Sequence, residues 1–265
     1  MVSSKFVEGL VFDMIRLKNV KQLEGIRESC RMLVAMFGEL VPRVQIGIET
    51  RELDLWVRDW IKRAGAKPAF LGYGEGGSPY PAALCVSIND QVIHGIPSRR
   101  RIADGDLVSL DCGIDLGGHF SDKAVTVAVG NVSREAAELV RVTQECLALA
   151  VAQAKPGNRV HQISRAVYAY AKEHGYGVVH QYCGHGVGFS PHEDPQVPNY
   201  PSNGPNPRMG EGLVIAVEPM INLGTGDVEI LDDDWTVVTA DGKLSSHCEH
   251  TVAFFRDHSE VLTYD

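Results

Sequence analysis

No stretch of this chain holds the roughly 18 consecutive apolar residues that a membrane-spanning helix needs, so no such helix is expected. Positive charge is in short supply: 25 Lys and Arg stand against 34 Asp and Glu, a formal net charge of −9. That balance argues against nucleic acid or an anionic membrane surface as the main partner, because both are bound through clustered cations. Paired cysteines are missing too. Cys30, Cys85, Cys112, Cys146, Cys183 and Cys248 are scattered, with no C-x-x-C pair, which excludes the common zinc-ribbon and thioredoxin-like patterns. The opening MVSSKFVEGLVFDMIRLKNV carries acids and lacks a continuous apolar centre, so it makes a poor signal peptide. Together these absences favour a reducing cytoplasm, with most of the thiols free and buried.

What is present has the composition of an ordinary soluble protein, 44% hydrophobic and 22% charged. A chain of 265 residues can form one large domain or two small ones, and a core of that size needs no disulfides. Acid gathered in a cleft would attract cations, either a metal or the protonated amine of a peptide. Leu23, Ile26, Cys30, Leu33, Val34, Phe37, Leu40 and Val41 recur at helical spacing and predict a helix over 20–41, closed by Pro42. Thr50 is expected to cap a second helix that carries Leu53, Val57, Trp60 and Ile61. Ser133 can cap a third running to about Lys155, and a fourth is expected from about Val160 to Glu173, with Gly175 beyond its end. These helices read as scaffold.

The informative stretch is 107–129, LVSLDCGIDLGGHFSDKAVTVAV, two β-prone runs around a Gly-Gly pair. A loop centred between Leu116 and Gly117 would set Asp111 directly across from Asp122. Like charges so placed destabilise a sheet by up to about 1 kcal/mol. Either a divalent cation lies between them, or one aspartate is a loop residue facing water. Further on, His180, His185 and His192 fall on an irregular Gly/Pro-rich segment, followed at once by Glu193 and Asp194. Glu218 is the one charged residue of the strand-like LVIAVEPM, and Glu249 lies in the strand-like SSHCEHTVAFF. Buried carboxylates are costly unless paired or metal-bound. Asp111, Asp122, Glu218 and Glu249 with His185 form the ligand inventory of a two-metal site suited to hydrolysis. The mostly oxygen donor set suits Mn, Fe(II), Co or Zn without choosing among them. The loop LGYGEGGSPYP (71–81) is either a plain connector or, through its tyrosines, a pocket wall. The two halves of the chain each hold two helices and carboxylate-bearing strands, a faint symmetry that places a site between them.

The ordered set His94-Gly-Ile-Pro, Asp111, Asp122, Gly184-His-Gly-Val-Gly, His192-Glu-Asp-Pro, Glu218-Pro-Met and Glu249-His-Thr resembles the methionine aminopeptidases, dinuclear "pita-bread" hydrolases, over about residues 20–260. The short spacing between Glu218 and Glu249 resembles type I members. The resemblance implies an α+β pita-bread (creatinase/aminopeptidase) fold, with two pseudo-symmetric αβ halves around a curved antiparallel sheet. It implies a single catalytic domain over 1–265, with about 1–18 an N-terminal extension and about 19–260 the core. It implies two divalent ions (Co, Mn, Fe or Zn): Asp111 on one, Asp122 and Glu249 bridging, His185 and Glu218 completing the other. A bridging hydroxide would attack the first peptide bond, removing the N-terminal methionine of nascent proteins and peptides. His94 would bond the scissile amide nitrogen, His192 the substrate carbonyl, and Glu218 would pass a proton to the leaving amine. Tyr73, Tyr80, Cys85 and Trp235 match positions that shape the methionine pocket. Phe70 and Pro191 replace a Cys and an aromatic found in some members, Gly113 a common Thr and His247 a frequent Gln, and the Tyr73–Tyr80 loop is longer. These departures leave open an aminopeptidase of altered N-terminal specificity, and a non-catalytic peptide-binding homologue is the remaining alternative. The expected setting is a cytoplasmic monomer acting near the ribosome on nascent N-termini, with neither nucleic acid nor membrane as partner.

Overall fold

The computed structural model describes residues 15–74 and 77–264. Most of the expected N-terminal extension and the tip of the Tyr73–Tyr80 loop thus lie outside the described residues. In order, the elements are α1 (Val20–Leu40), α2 (Thr50–Arg63), β1 (Lys67–Pro68), β2 (Cys85–Ile88), β3 (Gln91–Ile93), β4 (Leu107–Asp115) and β5 (Phe120–Ala128). Then come α3 (Arg134–Gln153), α4 (Val160–Glu173), β6 (Gly177–Val178), β7 (Gly184–Gly186), β8 (Glu193–Val197), β9 (Val214–Val217) and β10 (Met220–Asn222). The chain finishes with β11 (Val228–Ile230), β12 (Val237–Thr239), β13 (Ser245–His247), β14 (Glu249–Phe254) and β15 (Ser259–Val261). None of the described helices is long and apolar enough to cross a membrane.

The helices fall where the periodicity put them. Asn19 caps α1 through the Gln22 N–H, and Leu23, Ile26, Cys30, Leu33, Phe37 and Leu40 are buried. Met36 takes the buried place expected of Val34, which is only half-buried. Each fully buried Leu, Ile or Phe contributes about 1.5–3 kcal/mol, enough to fix the helix on the sheet. Ser133 caps α3 as expected. The cap of α2 differs: Glu49 precedes the helix and its N–H donates to the Glu52 carboxylate. Thr50 instead exchanges hydrogen bonds with the backbone of Ser98, tying the helix start to a neighbouring loop.

One sheet of nine strands runs β1-β4-β5-β14-β9-β7-β8, with β2 also on β4 and β15 also on β14. It divides into two halves. Helices α1 and α2 pack against the β2–β4 side through Leu33, Phe37, Leu53, Val57, Val108, Leu110, Cys112 and Ile114. Helices α3 and α4 pack against β9 and β14 through Leu139, Val142, Ile163, Val167, Ile215, Val217 and Val252. The halves meet along a short seam, where β5 and β14 pair only at Ala124↔Glu249 and Lys123↔His250.

Two expectations need correction. The β4–β5 loop is Leu116–His119, centred between Gly117 and Gly118, because both glycines sit at positive φ (62° and 87°) and take the turn positions closed to other residues. Asp111 therefore pairs with Ala124 and Asp122 with Gly113. The two aspartates stay on one face but lie diagonally, with more room between them than a direct pair would leave. Second, the expected strands at 213–220 and 245–255 are each broken. Past Val217 the chain kinks at Glu218-Pro219 and resumes as β10; past His247 it breaks at Cys248 and resumes as β14. Strands β10 and β13 pair in a separate three-stranded sheet with β6. Both chains thus change sheets at the level where Glu218 and Glu249 stand.

Candidate metal centre

The helix-covered face of the large sheet is apolar, and the carboxylates stand on the other. Register aligns Cys85, Asp111, Ala124 and Glu249 across four adjacent strands, β2, β4, β5 and β14. The small side chain of Ala124 leaves space between Asp111 and Glu249. From the other half, His250 pairs with Val217, so Glu218, one residue on, arrives beside Glu249. Its backbone is held by the Asn199 side-chain amide, which donates to the Glu218 carbonyl at 2.9 Å. Thr251 brackets Asp122, donating to its carbonyl at 2.7 Å and accepting its N–H at 3.2 Å.

The five residues converge on one another. Ligand atoms of Asp122, His185 and Glu249 lie within 4.8 Å of one another. His185 Nε2 stands 3.3 Å from Glu218 Oε1 and 3.9 Å from Asp122 Oδ2. Asp111 joins through a side-chain contact with Asp122. His185 Nδ1 lies 2.9 Å from the Gly186 carbonyl. That bond keeps a proton on Nδ1 and turns Nε2 toward the carboxylates; contact with Glu218 outweighs burial and raises the ring's pKa, so Nε2 carries a proton that a metal would displace.

The electrostatics fit a cation. Asp122, Glu218 and Glu249 are 3%, 9% and 2% exposed. Asp111 Oδ1, Asp122 Oδ1 and Glu249 Oε1 are buried with no hydrogen-bond partner among the described residues. Orphaned anionic oxygens of this kind are costly unless something positive meets them. Burial first, then mutual repulsion, raises the pKa of Asp122 and Glu249 well above the usual range. Burial also raises that of Asp111, to about 6. Glu218 goes the other way, to about 2, because its bonds to His185 and His247 outweigh its burial. The His247 ring, whose Nε2 stands 3.5 Å from Glu218 Oε2, lies behind the ligands rather than among them. Four carboxylates and one imidazole suit hard divalent ions, and these residues could hold them.

Two further imidazoles flank the nest. His192 packs against His185 at 4.3 Å and Tyr73 at 4.9 Å, ring centre to ring centre. His94 ends β3 at φ 58° and faces Tyr182 and Trp235 edge-on at 5.8 and 6.1 Å. Burial pushes its pKa down to about 4, so it stays neutral at physiological pH. Phe70, Tyr80, Ala82 and Cys85 pack as an apolar cluster, with Ile96 and Trp235 against it, at the place expected of the side-chain pocket. Cys85 lies across from Asp111 in register, so the pocket shares a wall with the nest. The Tyr80 hydroxyl donates to the Gly95 carbonyl at 3.0 Å, and the Trp235 indole to the Ser78 carbonyl at 2.9 Å.

The pocket explains one departure noted in the sequence. A Cβ at Gly113 would fall 2.9 Å from Ala69 Cβ and the Ser121 carbonyl, and 3.1 Å from the Phe70 ring. Ala69, the Ser121 carbonyl and Phe70 together occupy the room a larger residue at 113 would use. His180 stands apart from the ligands, stacked on Tyr200 at 4.1 Å. Glu193 turns away from the nest to an ion pair with Lys18. Sequence reasoning missed Tyr182 and Asn199, for which spacing carried no signal, and quoted Thr251 in a motif without giving it a role. It also missed Asp54, which accepts the N–H groups of Ala83 and Leu84 beside the pocket.

An oxygen-rich cation nest on the seam of two αβ halves, with two imidazoles and an apolar pocket alongside, defines a metal-dependent hydrolase. The comparisons narrow the class. Residues 24–253 match the model of metallopeptidase family M24. A methionine aminopeptidase of Treponema pallidum is 53% identical over 94% of this chain and 96% of its own length. One of Clostridium perfringens is 45% identical over 94% and 99%. The crystal structure of a methionine aminopeptidase from Thermotoga maritima superposes with a TM-score of 0.90 at 36% identity, covering 95% of this chain and all of that one. The chain belongs to metallopeptidase family M24 and has its pita-bread fold.

Proposed function

We propose that this chain is a metal-dependent aminopeptidase that removes the N-terminal methionine from polypeptides. The observation that carries the reading is the convergence of Asp111, Asp122, His185, Glu218 and Glu249, with three buried carboxylate oxygens that find no partner among the described residues, beside an apolar cluster holding Tyr80 and Trp235. The 53% identity to a methionine aminopeptidase favours methionine over another terminal residue.

In this reading Asp111, Asp122, His185, Glu218 and Glu249 would hold the divalent ions. Bound ions of this kind supply an activated water and polarise the carbonyl it attacks. The chain's own groups do the rest. Tyr73, Tyr80, Cys85 and Trp235, with Phe70, take the methionine side chain. His192 donates to the carbonyl oxygen of the first residue, where negative charge develops. His94 bonds the scissile amide nitrogen. Glu218 accepts a proton at a carboxylate oxygen and delivers it to the departing amine. The unit is a single catalytic domain, with about 1–18 an N-terminal extension. It works as a cytoplasmic monomer near the ribosome, on the free N-termini of nascent chains.

The test is release of Met from a Met-Ala-Ser peptide by purified protein across a series of Mn, Co, Fe(II) and Zn, with metal content determined on the same samples. Release with about two ions per chain is expected; no release with any metal overturns the reading. A panel of Xaa-Ala peptides checks specificity, and Met should be the best first residue by a wide margin.

A further inference from the structure

The loop Phe189–His192 carries a residue of the proposed machinery, yet the His192 ring makes no hydrogen bond among the described residues. Its recorded contacts are the His185 and Tyr73 rings. Something else must fix its position. Glu193, the next residue, turns its carboxylate back beneath the loop. Its Oε1 accepts the N–H groups of Phe189 at 2.5 Å and Ser190 at 3.1 Å, and its Oε2 takes the Lys18 ammonium at 2.6 Å. The two side chains are 1% and 2% exposed, although 175 residues separate them. Within the loop, the Ser190 hydroxyl donates to the His192 carbonyl at 2.8 Å.

Lys18 is itself anchored. Its N–H donates to the Gly212 carbonyl at 2.7 Å, and the first residue of α1 follows one position after the Asn19 cap. Its stem lies where a side chain at position 188 would go. A Cβ on Gly188, at φ +139°, would fall 2.8 Å from Lys18 Cε and 2.7 Å from Ile26 Cδ1. The ammonium also sits 5.2 Å above the Phe189 ring, with Arg16 over the same ring at 4.7 Å. A buried ion pair is a poor device for stability alone, because two well-packed apolar residues would serve as well or better. What it adds is a fixed geometry.

We propose that the buried Lys18–Glu193 pair positions His192, so that the segment entering α1 acts as a part of the active site. The inference rests on the reading that His192 meets the substrate carbonyl. Glu193 and Lys18 touch neither substrate nor metal; they are positioning residues, acting through the loop.

The experiment is a double-mutant cycle on Met-Ala-Ser hydrolysis. With His192 present, Lys18→Met should lower kcat about tenfold or more while KM changes by less than about threefold, because small displacements of an aligned group are costly in the transition state. In a His192→Ala background the same substitution should lower kcat by less than about twofold, since the group it positions is gone. Metal content should stay as in the wild type, and Lys18→Arg should restore most of kcat. Glu193→Gln, which keeps an acceptor for the two amides and loses the charge, runs the same cycle if Lys18→Met does not fold. If His192→Ala leaves no measurable rate, the NOE between the His192 and Tyr73 rings decides: it should vanish in the Lys18 variant. An equal proportional loss in both backgrounds, an unchanged kcat, or a retained NOE overturns the inference. Failure of the wild type to release Met would instead sink the functional reading beneath it.

Discussion

The metal nest and the aromatic pocket share a wall at Cys85 and Asp111, yet they are built on opposite principles. In the pocket, polar groups are satisfied by the protein: the Tyr80 hydroxyl and the Trp235 indole both bond backbone carbonyls. In the nest, carboxylate oxygens are left without partners. The pocket residues are packed and satisfied by the protein itself, whereas the nest is a set of costs that a cation would offset. One atom exchanged should therefore destroy the nest, while the pocket should respond only to changes of volume.

The sharpest way to break that contrast is Asp122→Asn or Glu249→Gln, which keep shape and remove charge. Either should lower Met release by about 10³-fold or more, on the scale of losing a principal source of transition-state charge stabilisation. The metal-free form should fold at least as well, because repulsion is relieved. Hydrolysis rates, bound metal and thermal melts check all three. A variant that kept full activity would show that the nest is not the reacting centre. Next in size, His94→Ala and His192→Ala should each lower kcat by about 10²-fold, a general acid–base or donor effect, with metal content unchanged.

The pocket is probed by volume. Gly113→Thr should cost about 1–3 kcal/mol of stability by driving Phe70 from its place. Adding Phe70→Cys should recover part of that loss, since the Phe70 ring is one of three groups that crowd position 113. Phe70→Ala alone should narrow the preference for Met over Leu by about tenfold, read from kcat/KM on paired peptides. Additive stabilities for positions 70 and 113 would show that they do not share a space.

The smallest effect concerns pH. Without metal, burial raises the pKa of Asp111, Asp122 and Glu249, that of Asp111 to about 6. The folded chain then binds more protons than the unfolded one, so its stability is full below the unfolded carboxylate values of about 4 and falls as pH rises through 6. Melting temperature against pH in chelator should decline across that window. Divalent metal should flatten the curve.

The four converging carboxylates were legible because a carboxylate in an apolar run is rare enough to stand out, and they needed no register to be found. The helices were legible because period and caps agree. Pairing was not. The diagonal placement of Asp111 and Asp122 depends on which two residues of a four-residue loop take positive φ, and the strand breaks at Glu218 and Cys248 depend on which neighbour each half-strand finds. Lys18 illustrates the limit best. A basic residue just ahead of a helix reads as solvated surface, and its burial against Glu193 comes from a contact across most of the chain.

The seam carries a consequence of its own. Only two residue pairs join β5 to β14 there, while Asp111 and Asp122 come from one side and His185, Glu218 and Glu249 from the other. Ions bound in the nest would act as rivets between the halves, and whatever binds the native form alone protects it from unfolding by mass action. A cell short of the right cation would then lose the peptidase twice over: idle copies would also open more often, and proteases would clear them sooner.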